Sequence, residues 1–83
     1  MFTYETSGVC SSKIDIEISN DAIESVKFTG GCSGNLSGIA ELVKGMRIDD
    51  VIQKLNGVLC GNKDTSCPDQ LSKALIAWKQ ENL

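Results

Sequence analysis

The chain has 83 residues, 41% of them hydrophobic, with 11 acidic against 8 basic side chains and a net charge of −3. That length fits a single domain, residues 1–83, with one small core, and lysines scattered singly among acids offer no basic patch to a nucleic acid. Histidine is absent, which removes the commonest general base and the usual nitrogen ligand, and no stretch approaches the roughly 20 apolar residues of a membrane span. With no basic or apolar leader at the amino terminus the expected location is cytoplasmic, where thiols stay reduced and cysteine groups more often serve metal or redox chemistry than structural disulfides.

The first third predicts β structure. Ile14, Ile16 and Ile18 alternate with Lys13, Asp15 and Glu17 in the period-two pattern of a strand with one buried face. Ser19-Asn20-Asp21 supplies a turn, residues 23 to 29 return with Val26 and Phe28 inward, and Phe2 to Thr6 adds a third strand. Gly30-Gly31-Cys32-Ser33-Gly34-Asn35 then predicts a tight bend that needs positive φ or close backbone approach.

Helical spacing follows at once. Leu36, Ile39, Leu42 and Val43 form an apolar stripe, with Lys44 expected in the last turn and Gly45 as the stop. Ile48, Val51, Ile52 and Leu55 line a second short helix, with Asp49 and Asp50 at its amino end and Asn56-Gly57 closing it. Cys67-Pro68-Asp69-Gln70 opens a third helix whose inner stripe is Leu71, Ala74, Leu75 and Trp78. The order β-β-β-α-α-α predicts an α+β domain, a three-stranded antiparallel sheet with helices packed on one face.

Cys10, Cys32, Cys60 and Cys67 all fall at element ends, where thiolates can converge on one ion. Their gaps match no zinc-ribbon or ferredoxin spacing, so a metal site and a mixture of buried and exposed thiols both stay open. Cys67 lies at or next to a helix N-cap, a position that favours a thiolate, and Cys32 lies on the glycine-fixed bend between Gly31 and Gly34. Asp64 and Asp69 flank Cys67, and an acid beside a helix start reads first as a cap. The glycine-rich bend could also cradle an anion with its amides, although no Gly-Lys-Ser/Thr follows to make it a P-loop.

Thr65-Ser66-Cys67-Pro68-Asp69 resembles the signature after which the TSCPD domain is named, and the whole chain looks like a stand-alone member of that family. Relatives of that kind include domains at the carboxyl end of adenosylcobalamin-dependent ribonucleotide reductases, so the resemblance implies an accessory link to ribonucleotide reduction. The chain is too short to be the reductase itself.

A more distant resemblance, over about residues 9 to 80, is to iron-sulfur cluster scaffolds of the NifU/IscU type. It rests on Cys10 before a strand, Gly31-Cys32, Val43-Lys44-Gly45 and Cys67 opening the last helix, and implies that Cys10, Cys32 and Cys67 converge. Ser12 and Ser66 stand where a scaffold carries aspartate and histidine, the proline-rich segment before Cys67 is missing, and Cys60 is additional.

Together these readings predict a metal site of Cys10, Cys32 and Cys67, with Cys60 as a fourth ligand and Gly31, Gly34 and Asp69 in support, holding zinc or an iron-sulfur cluster. The alternatives are a cluster scaffold and a thiol-disulfide shuttle with Cys67 as nucleophile and Cys32 or Cys60 as its resolving partner. The partners implied are a ribonucleotide reductase or an iron-sulfur assembly protein, with a homo-oligomer also compatible and neither nucleic acid nor membrane expected.

Overall fold

The computed structural model describes residues 1–31, 33–59 and 65–82. Its elements are β1 (Phe2–Glu5), β2 (Ser11–Ser19), β3 (Ala22–Gly30), α1 (Ser33–Val43), α2 (Ile48–Leu55) and α3 (Cys67–Glu81). The three strands form an antiparallel meander in the order β1-β2-β3, so the isoleucine-rich strand is central. Ile14 faces Tyr4 on one side and Phe28 on the other, and Ile16 faces Phe2 and Val26. Flanked in this way, Ile14 and Ile16 lose essentially all contact with water. They meet Leu71, Ala74 and Leu75 of α3, Val43 of α1, and Ile48 and Val51 of α2 in one core.

The hairpin between β2 and β3 turns at Asn20 and Asp21, whose φ angles of 53° and 62° are both left-handed. A two-residue connection of that handedness matches the right-handed twist of paired strands, and Asn and Asp tolerate it better than other side chains. Two register shifts interrupt the pairing. Lys13 pairs with Thr29 and Ser11 with Gly30, which leaves Ser12 as an extra residue; Glu17 pairs with Ser25 and Ile18 with Ile23, which leaves Glu24 extra. Side chains alternate with a period of two, so each extra residue reverses the facing of what lies beyond it. Ile23 and Ser11 are thereby turned inward while Glu24 and Ser12 stay exposed.

The link between α1 and α2 is stitched to the hairpin end. The Ile23 N–H donates to the Met46 carbonyl at 2.9 Å, the Gly45 N–H to the Ile23 carbonyl at 2.7 Å, and the Ile48 N–H to the Asp21 carbonyl at 3.0 Å. Two details differ from the sequence-based expectation. Helix α1 ends at Val43, so Lys44 lies beyond its last turn. Leu42 is 77% exposed and not part of the inward stripe. It stands about 100° around the helix from Val43, and α1 packs mainly on β3, an edge strand, which leaves that flank uncovered. The element order, the sheet and the remaining core positions agree with the expectation.

Candidate thiol site

Two of the four cysteines meet where the sheet joins the last helix. Cys10 is exposed and immediately precedes β2, whereas Cys67 is the first residue of α3 and only 7% exposed. Their Sγ atoms lie 3.9 Å apart, as thiols in contact. The bulge at Ser12 adds a third polar atom: the Oγ of Ser11 lies 3.2 Å from the Sγ of Cys67. Cys32 and Cys60 lie outside the described residues, as does Asp64.

Gly31, which precedes Cys32, has a φ of 77°, and a Cβ there would lie 2.8 Å from the Leu36 Cδ1 and 3.1 Å from the Cys10 Sγ. Both constraints demand glycine, because a side chain would be strained and would press on the thiol. Gly34 is different. It stands exposed in the first turn of α1 with open space where a Cβ would be, so the fold places no steric demand on it.

The amino end of α3 is held by its own motif residues. Ser66 is the N-cap: its Oγ accepts the Asp69 N–H at 3.1 Å and donates to the Val58 carbonyl. The buried Asp69 carboxylate accepts the Gly57 N–H at 2.7 Å on one oxygen, and the Thr65 hydroxyl at 2.6 Å and the Lys73 ammonium on the other. Burial pushes the carboxyl upward, but hydrogen bonds from Lys73, Thr65 and Gly57 together outweigh it and hold its pKa at about 2. Asp69 is therefore an ionised clamp that ties the loop after α2 to the helix, whereas the cap, which the sequence reading assigned to an acid, is Ser66. Gln70 extends the clamp, donating to Thr65 Oγ1 at 3.0 Å and accepting the Ser7 N–H at 3.1 Å. Among the described residues every buried side-chain nitrogen and oxygen has a partner.

Above the thiols lies a largely apolar cleft of about 460 Å³ lined by Val9, Leu36, Ile39, Val58, Leu59 and Pro68. Low polarity around the sulfurs favours soft metal-thiolate bonds. The donor set fits such a use. Two thiolates on one tetrahedral ion with bonds of about 2.3 Å stand about 3.8 Å apart, close to the spacing of Cys10 and Cys67. Among the described residues no three Cys, His, Asp or Glu side chains gather into a metal-holding group.

Sheet, helices and paired thiols define a small α+β domain with two thiols in contact at a sheet-helix junction. The chain matches the TSCPD domain model over residues 2–78 and belongs to that family. No curated protein and no solved structure gives a significant match. No helix among the described residues is long and apolar enough to cross a membrane.

Sequence reasoning singled out Cys10, Cys67 and Asp69 and missed Ser11 and Gln70. Serine beside a cysteine reads as a turn residue, and only the bulge turns it inward. For Gln70, an ordinary first-turn residue, nothing in the sequence signals burial.

Proposed function

We propose that this domain binds a soft metal centre, zinc or an iron-sulfur cluster, with Cys10 and Cys67 as two ligands and Cys32 and Cys60 completing the set, as an accessory to ribonucleotide reduction or another redox enzyme. The 3.9 Å approach of two cysteines that are far apart in sequence carries the metal part of this reading. The family relationship supports the partner part. Bound zinc would supply a cross-link between sheet and last helix, and a cluster would supply an electron-carrying centre. The chain's own contribution is to hold two sulfurs at chelating distance. Gly31 gives the Cys10 sulfur its space, and the Ser66 and Asp69 clamp fixes the Cys67 backbone.

The same contact also favours a second reading, thiol-disulfide exchange. Cys10 is the exposed member and is therefore the entry thiol, a role the sequence had suggested for Cys67. Its thiolate attacks a partner disulfide and expels one partner thiolate; the Cys67 thiolate then attacks the Cys10 sulfur and expels the second. The domain ends with a Cys10–Cys67 disulfide, and the electron pair and two protons end on the partner dithiol.

Metal analysis of protein purified without chelator separates the two readings. The metal reading expects near-stoichiometric zinc or iron, lost in Cys67→Ser. Less than about a tenth of an equivalent of zinc plus iron in the wild-type protein would overturn it, since a structural thiolate site holds its metal through purification.

A further inference from the structure

Resting on the metal reading above, we infer that Ser11 is a positioning residue of the site: its hydroxyl donates to the Cys67 thiolate and holds that sulfur in the ligand position. Ser11 is only 3% exposed, and its Oγ is 3.2 Å from the Cys67 Sγ, its hydrogen-bond partner. A buried hydroxyl needs a partner, and here that partner is the sulfur.

The placement is enforced by the backbone on both sides. The Thr6 N–H donates to the Ser12 carbonyl at 3.1 Å, the Thr6 hydroxyl donates to the Ser11 carbonyl, and the Ser12 hydroxyl donates to the Thr29 carbonyl at 3.2 Å. Just beyond β3, Gly31 closes in so tightly that a Cβ would stand 3.2 Å from the Ser11 nitrogen. These contacts fix the bulge, and the bulge fixes the direction of the Ser11 side chain.

The chemistry suits a serine. A neutral Cys67 thiol can donate to the hydroxyl oxygen, and a thiolate can only accept; the hydroxyl does either by rotating its own hydrogen. Deprotonation of the thiol sends its proton to solvent and leaves Ser11 as donor in a charge-assisted bond. Alanine at this position would satisfy neither state. Donation also stabilises the sulfur lone pairs, which raises the energy of sulfur-to-metal charge transfer.

The test is cobalt(II) titration of the full chain, reading affinity by competition with a chelator and the position of the sulfur-to-cobalt charge-transfer band. Wild type binds with thiolate bands. Ser11→Ala loses about 10- to 100-fold in affinity, the usual range for removing a partner that orients a ligand, and its band moves to longer wavelength. Ser11→Thr, which keeps the hydroxyl, restores both. Thermal unfolding of the metal-free variants checks the fold; should threonine prove disruptive, the two readouts for alanine decide alone. Wild-type affinity and band position in Ser11→Ala would overturn the role of Ser11 and leave the metal reading standing. Failure of the wild-type chain to bind cobalt through its thiols would overturn both.

Discussion

The two ends of the sheet are held in opposite ways. At the hairpin end, order comes from backbone bonds between residues 21–23 and 45–48 and from an ion pair, Asp49 with Lys79, in which the carboxylate side chain is 66% exposed. At the thiol end, order comes from buried polar side chains, with Asp69 only 1% exposed and tied to Gly57, Thr65 and Lys73. A buried network of that kind is costly when incomplete and directional when complete, whereas an exposed pair is screened by water. The molecule spends its buried polarity where side-chain direction matters, next to the sulfurs.

The largest break in this contrast comes from Asp69→Ala. It strands the Gly57 N–H and the Thr65 hydroxyl, and should lower unfolding free energy by about 3 kcal/mol in denaturant titrations. Acid should act on the same group. Its folded pKa, about 2, lies below the ordinary 3.8, so the stabilisation is fully present above about pH 4 and is lost as pH falls through 2. The shift corresponds to on the order of 2 kcal/mol, less after allowing for water around the half-exposed Lys73. Unfolding of wild type should therefore steepen with acid across that window, and Asp69→Ala should flatten it.

A smaller effect is expected from Gly31→Ala, which forces a side chain into positive φ against the Ser11 nitrogen and the Cys10 sulfur. About 2 kcal/mol of destabilisation should accompany weaker metal binding, because strain and site share one residue. At the hairpin end Lys79→Met should leave the urea midpoint within error. Its partner Asp49 is held below its ordinary pKa by the Lys79 hydrogen bond and charge, yet it is too exposed for that to matter to stability. A clear loss of stability there would undo the comparison.

Much of this fold is legible in the sequence because its signals are local. The alternation at Ile14, Ile16 and Ile18 sets the central strand, and proline after Cys67 sets the start of α3. Leu42 misled because helical spacing names a face without saying how wide a neighbour covers it. At the site, Cys10 and Cys67 were legible as thiols at element ends, and their contact was implied by family resemblance. Ser11 was not legible: the shift that turns it inward depends on where Gly30 and Thr29 pair across the sheet, a tertiary fact with no mark in the residues around Ser12. Nor could Asp69 be recognised as more than a cap, since Gly57 joins it from another element.

The metal reading has Cys10 and Cys67 acting together on one ion. Cadmium titration followed by thiolate-to-metal absorption, in wild type, Cys10→Ser and Cys67→Ser, addresses it directly. Saturation at one equivalent is expected in wild type, with a comparable loss of absorbance and affinity in each variant. A wild-type titration curve from either serine variant would contradict it.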